Sequence, residues 1–335
     1  MSTHEALTQA IIAAHPGLTL PPTVPVPASF SNDLPVYRAA KQAGLALGFI
    51  EPDAECLARA WQAMTQRTGQ FNVQAWPDQP VDFGMRPWPR ADAFAACPHQ
   101  LGLYAVLPDA AWVARMARAG VPTVQLRFKS DDRRAIDREV RAAVEAVRGT
   151  NALLFINDHW QAAIAAGAYG VHLGQEDLDT ADVHTIRTAG LRLGLSSHGY
   201  AEMLRADRLS PSYIALGAVF PTTLKRMATA PQGTGRLHAY VRLMRDYSLV
   251  AIGGIDATTL AEVLGSGVGS VALVRALVAA EQPEQVAASL QATIKAAMPL
   301  GESRQQRDLN ERELLHKHKR PANPSCPPAL ETGAS

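Results

Sequence analysis

The chain is short of cysteine, of aromatic residues and of net charge, and each shortage narrows what it can do. Its 335 residues include three cysteines, Cys56, Cys97 and Cys326. They stand far apart and match no metal-ligand spacing, so they read as reduced thiols of a cytoplasmic protein. The formal net charge is +1, which argues against a nucleic-acid partner held mainly by phosphate attraction. Scattered Arg and Lys side chains can still converge on a small anion without showing in that total. No apolar run approaches the roughly 18 residues needed to span a bilayer. The opening MSTHEALTQAIIAAHPG lacks a basic start followed by an apolar core, so no signal peptide is expected. A soluble, cytoplasmic protein with no membrane partner is the expectation.

What is present is Ala, Val, Leu and Ile in quantity: 47% of the residues are hydrophobic and 6% aromatic. That mix suits buried parallel strands covered by helices. Three zones differ in texture. Residues 1–98 are rich in Pro and hold Trp61, Trp76 and Trp88. Apolar spacing predicts helices over 5–14 and 54–68, and the turn-rich stretch 77–98 reads as an extended linker. This accessory segment is expected to pack, because tryptophans seldom stay in water. Covering the barrel's bottom, mediating assembly into a homo-oligomer, and being the remnant of a fused domain are all open roles for it. Residues 99–298 alternate eight short apolar runs (101–107, 122–128, 152–157, 168–174, 191–197, 212–220, 248–254 and 269–274) with helical stretches such as 131–148 and 258–264. Eight such units predict an α/β fold, a closed (β/α)₈ TIM barrel. Residues 299–335 are charged and then rich in Pro and Ser, the composition of a disordered tail.

In such a barrel the site lies where the strands end, so the end of each run carries the candidates. The second run ends in Gln125, Arg127 and Lys129, which share one face of a strand while Val124, Leu126 and Phe128 share the other. The polar face is expected at the barrel mouth, where paired cations call for an anion. The third run ends in Asn157-Asp158 and the fourth leads to Asp177. Asp158 alone reads as the N-cap of the next helix and Asp177 alone as a loop acid; together, on adjacent strands, they suit one hard cation. Ser196 ends the fifth run as a phosphate ligand or a helix cap, and His198 beside it has no evident nucleophile partner. Thr222, Thr223 and Lys225 follow the sixth run. Gly254 ends the seventh, where backbone N–H groups and the next helix's positive end can meet an oxyanion. Val274 and Arg275 end the eighth.

The segments VQLRFK (124–129), FIND (155–158), GVHLGQEDL (170–178), SYIALGAVFPTTLK (212–225), VAIGGI (250–255) and SVALV (270–274), in this order, resemble the thiamine-phosphate synthase family over roughly residues 101–298. The resemblance implies a (β/α)₈ transferase that joins 4-amino-2-methyl-5-hydroxymethylpyrimidine diphosphate to 4-methyl-5-(2-hydroxyethyl)thiazole phosphate and releases diphosphate with the help of Mg²⁺. It implies that Gln125, Arg127, Lys129, Asn157, Ser196 and Lys225 hold the pyrimidine diphosphate. Of these, Arg127, Lys129 and Lys225 act on the departing charge. Asp158 and Asp177 would hold Mg²⁺. Thr222, with Thr223 as a substitute hydroxyl, Gly254, Val274 and Arg275 would hold the thiazole phosphate. Two positions depart from the family pattern: Leu224 replaces a hydroxyl in the FPTxTK loop, and Arg275 replaces a serine. The competing readings are a thiazole tautomerase-like relative on the same barrel and a non-catalytic, phosphate-binding regulatory paralogue.

Overall fold

The computed structural model describes residues 3–21, 29–222 and 229–297. Its centre is a closed barrel of β1 (Gly102–Leu107), β2 (Thr123–Leu126), β3 (Leu153–Asn157), β4 (Gly170–Leu173), β5 (Arg192–Ser197), β6 (Tyr213–Leu216), β7 (Ser248–Ile252) and β8 (Ser270–Leu273). Every neighbouring pair is parallel, and β8 returns to β1 with Tyr104 opposite Ala272. Helices fill the crossovers, so the expected (β/α)₈ barrel is the fold the chain adopts. Most strands are shorter than the apolar runs that predict them. The end of the run leaves the ladder and becomes the loop at the barrel mouth, most plainly after β6.

Alternation along each strand divides the apolar side chains into two layers. Leu103, Ala105 and Leu107 of β1 and Val124 and Leu126 of β2 face the helices and join the main core. Tyr104, Val106, Phe155, Tyr213, Ala215, Val250 and Ala272 point inward and form a second, smaller core inside the barrel. Gly194 makes room for it. A Cβ there would stand 2.1 Å from Cζ of Tyr213, so the β6 tyrosine can lie across β5 only because β5 has no side chain at that point.

Three helices precede the barrel: α1 (Thr3–Ala14), α2 (Pro35–Ala46) and α3 (Glu51–Thr68). Sequence periodicity anticipates α1 and α3 and misses α2. The buried face of α2 is built from Tyr37, Ala39, Ala40, Ala43 and Gly44, with few large apolar residues to mark it, and includes a buried Lys41. That lysine is paired with both Glu51 and Glu55 at 2.7 Å, which meets the demand of a buried cation. Trp61 and Trp76 are buried, as the tryptophan argument requires, whereas Trp88 stays exposed with one edge contact to Tyr247.

Side-chain to backbone bonds tie this layer to the barrel. Arg236, buried in the helix Gly233–Leu243, donates through Nε to the Leu18 carbonyl at 3.0 Å and through Nη2 to the Leu47 carbonyl at 2.9 Å. Trp76 Nε1–H donates to the Tyr200 hydroxyl at 2.8 Å. The stretch 77–98 has little regular structure beyond the 3₁₀ turn Pro80–Phe83, yet it is firmly attached. Arg90 donates to Asp207 Oδ1 at 2.7 Å, to the Asp207 carbonyl at 2.8 Å and to the Tyr247 hydroxyl at 2.9 Å. The chain then runs along the strand starts. The carbonyls of Ala95, Ala96 and Pro98 accept from Ser212 Oγ (2.7 Å), Arg192 Nε (3.1 Å) and Ser248 Oγ (3.1 Å). These residues cover the bottom of the barrel, while α3 stands at its side against the helix Tyr200–Leu209. The expected tail over 299–335 lies outside the described residues.

Both partners of the Arg90–Asp207 pair are buried, and removing one partner of such a pair leaves the other charge uncompensated. Asp207→Ala is expected to destabilise the protein by about 3–5 kcal/mol, read from chemical denaturation. Asp53 of α3 gives a prediction with a pH window. Burial pushes its carboxyl up to about 6 from an ordinary 3.8. Its contribution to stability is therefore complete below pH 3.8 and lost as the pH rises through about 6. Asp53→Asn keeps an acceptor and removes the buried charge. It should match the wild type near pH 4 and exceed it at pH 8 by on the order of 1–3 kcal/mol, measured as denaturant midpoints at the two pH values.

Candidate active site

A cavity of about 870 Å³ opens at the C-terminal ends of the strands. Gln125, Arg127, Lys129, Asn157, Asp158, Asp177, Ser196, Thr222, Gly254, Val274 and Arg275 all line it. The fold thus brings together residues from seven strand ends that are up to 150 residues apart in sequence. Thr223, Lys225 and the departing Leu224 lie outside the described residues.

Parity positions the β2 group. Val124 and Leu126 enter the outer core, Phe128 packs against it, and Gln125 points into the barrel, 4% exposed. The Arg127 N–H donates to the Leu107 carbonyl at 2.8 Å, which carries the ladder one residue past β2 and keeps Arg127 on the inner side. Lys129 stands exposed at the rim.

Beneath the cavity runs a buried column of polar groups. Gln125 Nε2 donates to the Tyr104 hydroxyl at 2.9 Å. Tyr104 and Tyr213 share a bond of 2.7 Å, Tyr213 reaches His172 Nδ1 at 2.6 Å, and His172 Nε2 reaches Ser196 Oγ at 2.8 Å. A consistent donor order runs from Gln125 through both tyrosines to His172 and on to Ser196, which leaves the serine's own hydrogen for the cavity. Burial raises both tyrosine hydroxyls above their ordinary range, so they stay protonated at neutral pH.

The acidic pair faces this column. Asp158 does not cap the following helix, contrary to what its position in sequence implies. The residue before the helix Trp160–Ala166 is His159, which makes no side-chain cap, and its Nε2 donates to the Phe128 carbonyl at 2.9 Å. Asp158 instead adopts a left-handed backbone, φ 62°, a conformation that costs a non-glycine residue on the order of 1–3 kcal/mol and is retained where the surroundings impose it. Its N–H donates to the His172 carbonyl at 3.0 Å, and its carboxyl turns into the cavity beside Asp177. Solvent reaches Asp158 through the mouth, but the cavity walls limit its hydration. That desolvation, followed by the Asp177 charge and a hydrogen bond between the two carboxyls, pushes it up to about 6. Two carboxyls held this close favour sharing either a proton or a cation. Asp177 is steadied by the Gly174 N–H at 2.8 Å. Among the described residues no cluster of three or more His, Cys, Asp or Glu is grouped for a metal. Mg²⁺ needs none, since one or two protein carboxylates suffice when phosphate oxygens and water complete its shell.

At the end of β5, Ser196 and Ser197 both line the cavity, and the Ser197 hydroxyl donates to the Ala215 carbonyl at 3.0 Å. His198 is held by Glu202, Nδ1 to Oε2 at 2.6 Å. The glycine turn after β7 differs from expectation in one respect. No helix starts directly behind Gly254: Asp256 first makes a turn, accepting the N–H groups of Thr258 (2.9 Å) and Thr259 (3.2 Å), and the helix begins at Leu260. Backbone N–H groups, and not a helix's positive end, are what this turn offers. Arg275 lies exposed at the rim, so it does not plug the cavity.

Three contributors escaped the sequence reading. His172 is 6% exposed and central to the column. Its signal was available, since it alternates with Val171 and Leu173, whose side chains are in the outer core. Gln175 donates to the Ser196 carbonyl at 2.7 Å, a tertiary contact, and Glu202 holds His198 across a single i,i+4 step.

Comparison with known proteins bears on the family of the chain. The family model described as thiamine monophosphate synthase matches residues 103–277. A Neisseria meningitidis serogroup A protein named thiamine-phosphate synthase is 55% identical over 192 residues, 57% of this chain and 94% of the relative. A Photorhabdus laumondii protein of the same name is 50% identical over 197 residues, 59% of this chain and 91% of the relative. Among solved structures, a thiamine phosphate pyrophosphorylase from Pyrococcus furiosus superposes with a TM-score of 0.54 at 26% identity, covering 60% of this chain and 99% of that one.

Proposed function

The chain belongs to the thiamine monophosphate synthase family, and from that premise we infer that it joins hydroxymethylpyrimidine diphosphate to thiazole phosphate, giving thiamine phosphate and diphosphate. The observation that carries this reading is the meeting, in one cavity, of the β2 cations Arg127 and Lys129 with the acidic pair Asp158 and Asp177. Cations alone would suit any anion. Cations facing a paired carboxylate suit a diphosphate that arrives with a divalent metal.

Asp158 and Asp177 would hold Mg²⁺; their mutual repulsion and raised affinity for a shared positive charge fit it. When bound, the ion supplies neutralising charge for the diphosphate. The chain's own residues do the rest. Arg127 and Lys129, joined by Lys225, would balance the charge that grows on the diphosphate oxygen as its bond to the pyrimidine methylene carbon breaks. The electron-rich aminopyrimidine bears the resulting positive charge. The thiazole nitrogen donates its electron pair to that carbon, and the new C–N bond restores neutrality at the methylene. No side chain has to become covalently attached. Gln125, Asn157 and Ser196 orient the pyrimidine diphosphate, and the polar column below fixes Gln125 and Ser196. Thr222, with Thr223 beyond it, the Gly254 turn, and the Val274 and Arg275 backbone would receive the thiazole phosphate. Holding the two reactants in line contributes much of the acceleration.

We place the reaction in the cytoplasm. No helix among the described residues is long and apolar enough to cross a membrane, and neither Cys56 nor Cys97 is in a disulfide. A tautomerase-like relative would have no use for the combined cation and carboxylate set, and a binding paralogue no use for its alignment.

Incubating the purified protein with both substrates and Mg²⁺ should yield thiamine phosphate by chromatography. Absence of product with thiazole phosphate still bound tightly would refute the synthase reading. Asp177→Ala is expected to lose Mg²⁺-dependent turnover by about 10²-fold or more; turnover equal to the wild type would remove Asp177 from the metal site.

A further inference from the structure

The family match begins at residue 103, yet a residue far outside it touches the turn that follows β5, next to the cavity-lining His198. Asp53 of α3 is 3% exposed. Its Oδ1 accepts the backbone N–H of Ala201 at 2.8 Å, at the first turn of the helix Tyr200–Leu209. The N-cap of that helix is Gly199, which has no side chain with which to do this. Asp53 therefore performs, from another layer of the molecule, the task that a Ser or Asp at the N-cap performs locally. The fit is close: a Cβ on Gly199 would lie 2.0 Å from Asp53 Oδ2. Arg236 of the helix Gly233–Leu243 favours the charged form of this carboxylate, and Glu202 opposes it.

Gly199 is three residues beyond Ser196, and the turn that it opens follows directly on the end of β5. The Ser196 side chain meets His172 and its carbonyl meets Gln175, so a shift in the turn disturbs both contacts. We propose that Asp53 is a positioning residue for the reaction: by holding the Gly199–Ala201 turn it sets the Ser196 hydroxyl at the diphosphate side of the cavity. The inference rests on the synthase reading above and gives the N-terminal layer a part in that reaction.

The test uses the full chain and reads kcat together with separate KM values for the pyrimidine diphosphate and the thiazole phosphate, at saturating Mg²⁺. Asp53→Ala should raise KM for the pyrimidine diphosphate roughly tenfold and leave that for the thiazole phosphate unmoved. Asp53→Asn, which keeps an acceptor oxygen, should restore the wild-type value. Asp82→Ala breaks the Arg67–Asp82 pair within the same layer, 2.6 Å apart, and should lower thermal stability without altering either KM. Unchanged constants in Asp53→Ala, or the same shift in Asp82→Ala, overturn the proposal. Should Asp53→Ala not fold, Gly199→Ala, which forces a methyl against the carboxylate, carries the same expectation and the same refuting result. A wild type that makes no product overturns the synthase reading and this inference with it. An active wild type with unmoved Asp53→Ala constants overturns this inference alone.

Discussion

Closure of eight short strands into a barrel creates an interior that has to be filled and hydrogen-bonded, and the rest of this molecule follows from how that is done. Large aromatics occupy the lower interior, where Tyr213 lies across Gly194. Their hydroxyls cannot reach water there and must find partners among themselves. Tyr104, Tyr213, Gln125, His172 and Ser196 supply one another. A group buried to satisfy the core thus becomes the floor of the cavity, and the cavity inherits the rigidity of a closed polar network.

Above that floor the electrostatics are divided. Arg127 and Lys129 come from β2, Asp158 and Asp177 from the ends of β3 and β4. The carboxyls are close enough to raise Asp158, and the unfavourable backbone of Asp158 turns its side chain toward Asp177 and away from a capping role. A positive charge placed between the two carboxyls would offset the cost of crowding them.

The layer before the barrel is attached by few but buried contacts. Arg90 with Asp207, Arg236 with two carbonyls, and Asp53 with Ala201 each join an early residue to the barrel's β5–β7 side. Each leaves a polar group that would be unsatisfied without its partner, so the layer and that side of the barrel depend on each other. The strand starts are covered by residues 95–98, whose carbonyls take hydrogen bonds from serines and an arginine of β5–β7 and the loop before β6.

The barrel was legible in the sequence because parallel strands buried on both sides must be apolar runs, and because period-two alternation puts Gln125, Arg127 and Lys129 on one face whatever the details of packing. The order of the strand-end motifs made the family legible too. Other features were decided only in three dimensions. α2 hides among alanines, since small residues pack closely without a periodic apolar signal. The release of Asp158 from its expected cap depends on a backbone torsion set by its neighbours. The absence of a helix start behind Gly254 depends on the turn that Asp256 makes. Asp53 reaches Ala201 across 148 positions of sequence, and no local pattern encodes such a contact. Sequence determines which residues share a face; only the closed tertiary structure decides which faces meet, because hydrogen bonding and burial are satisfied across the whole molecule at once.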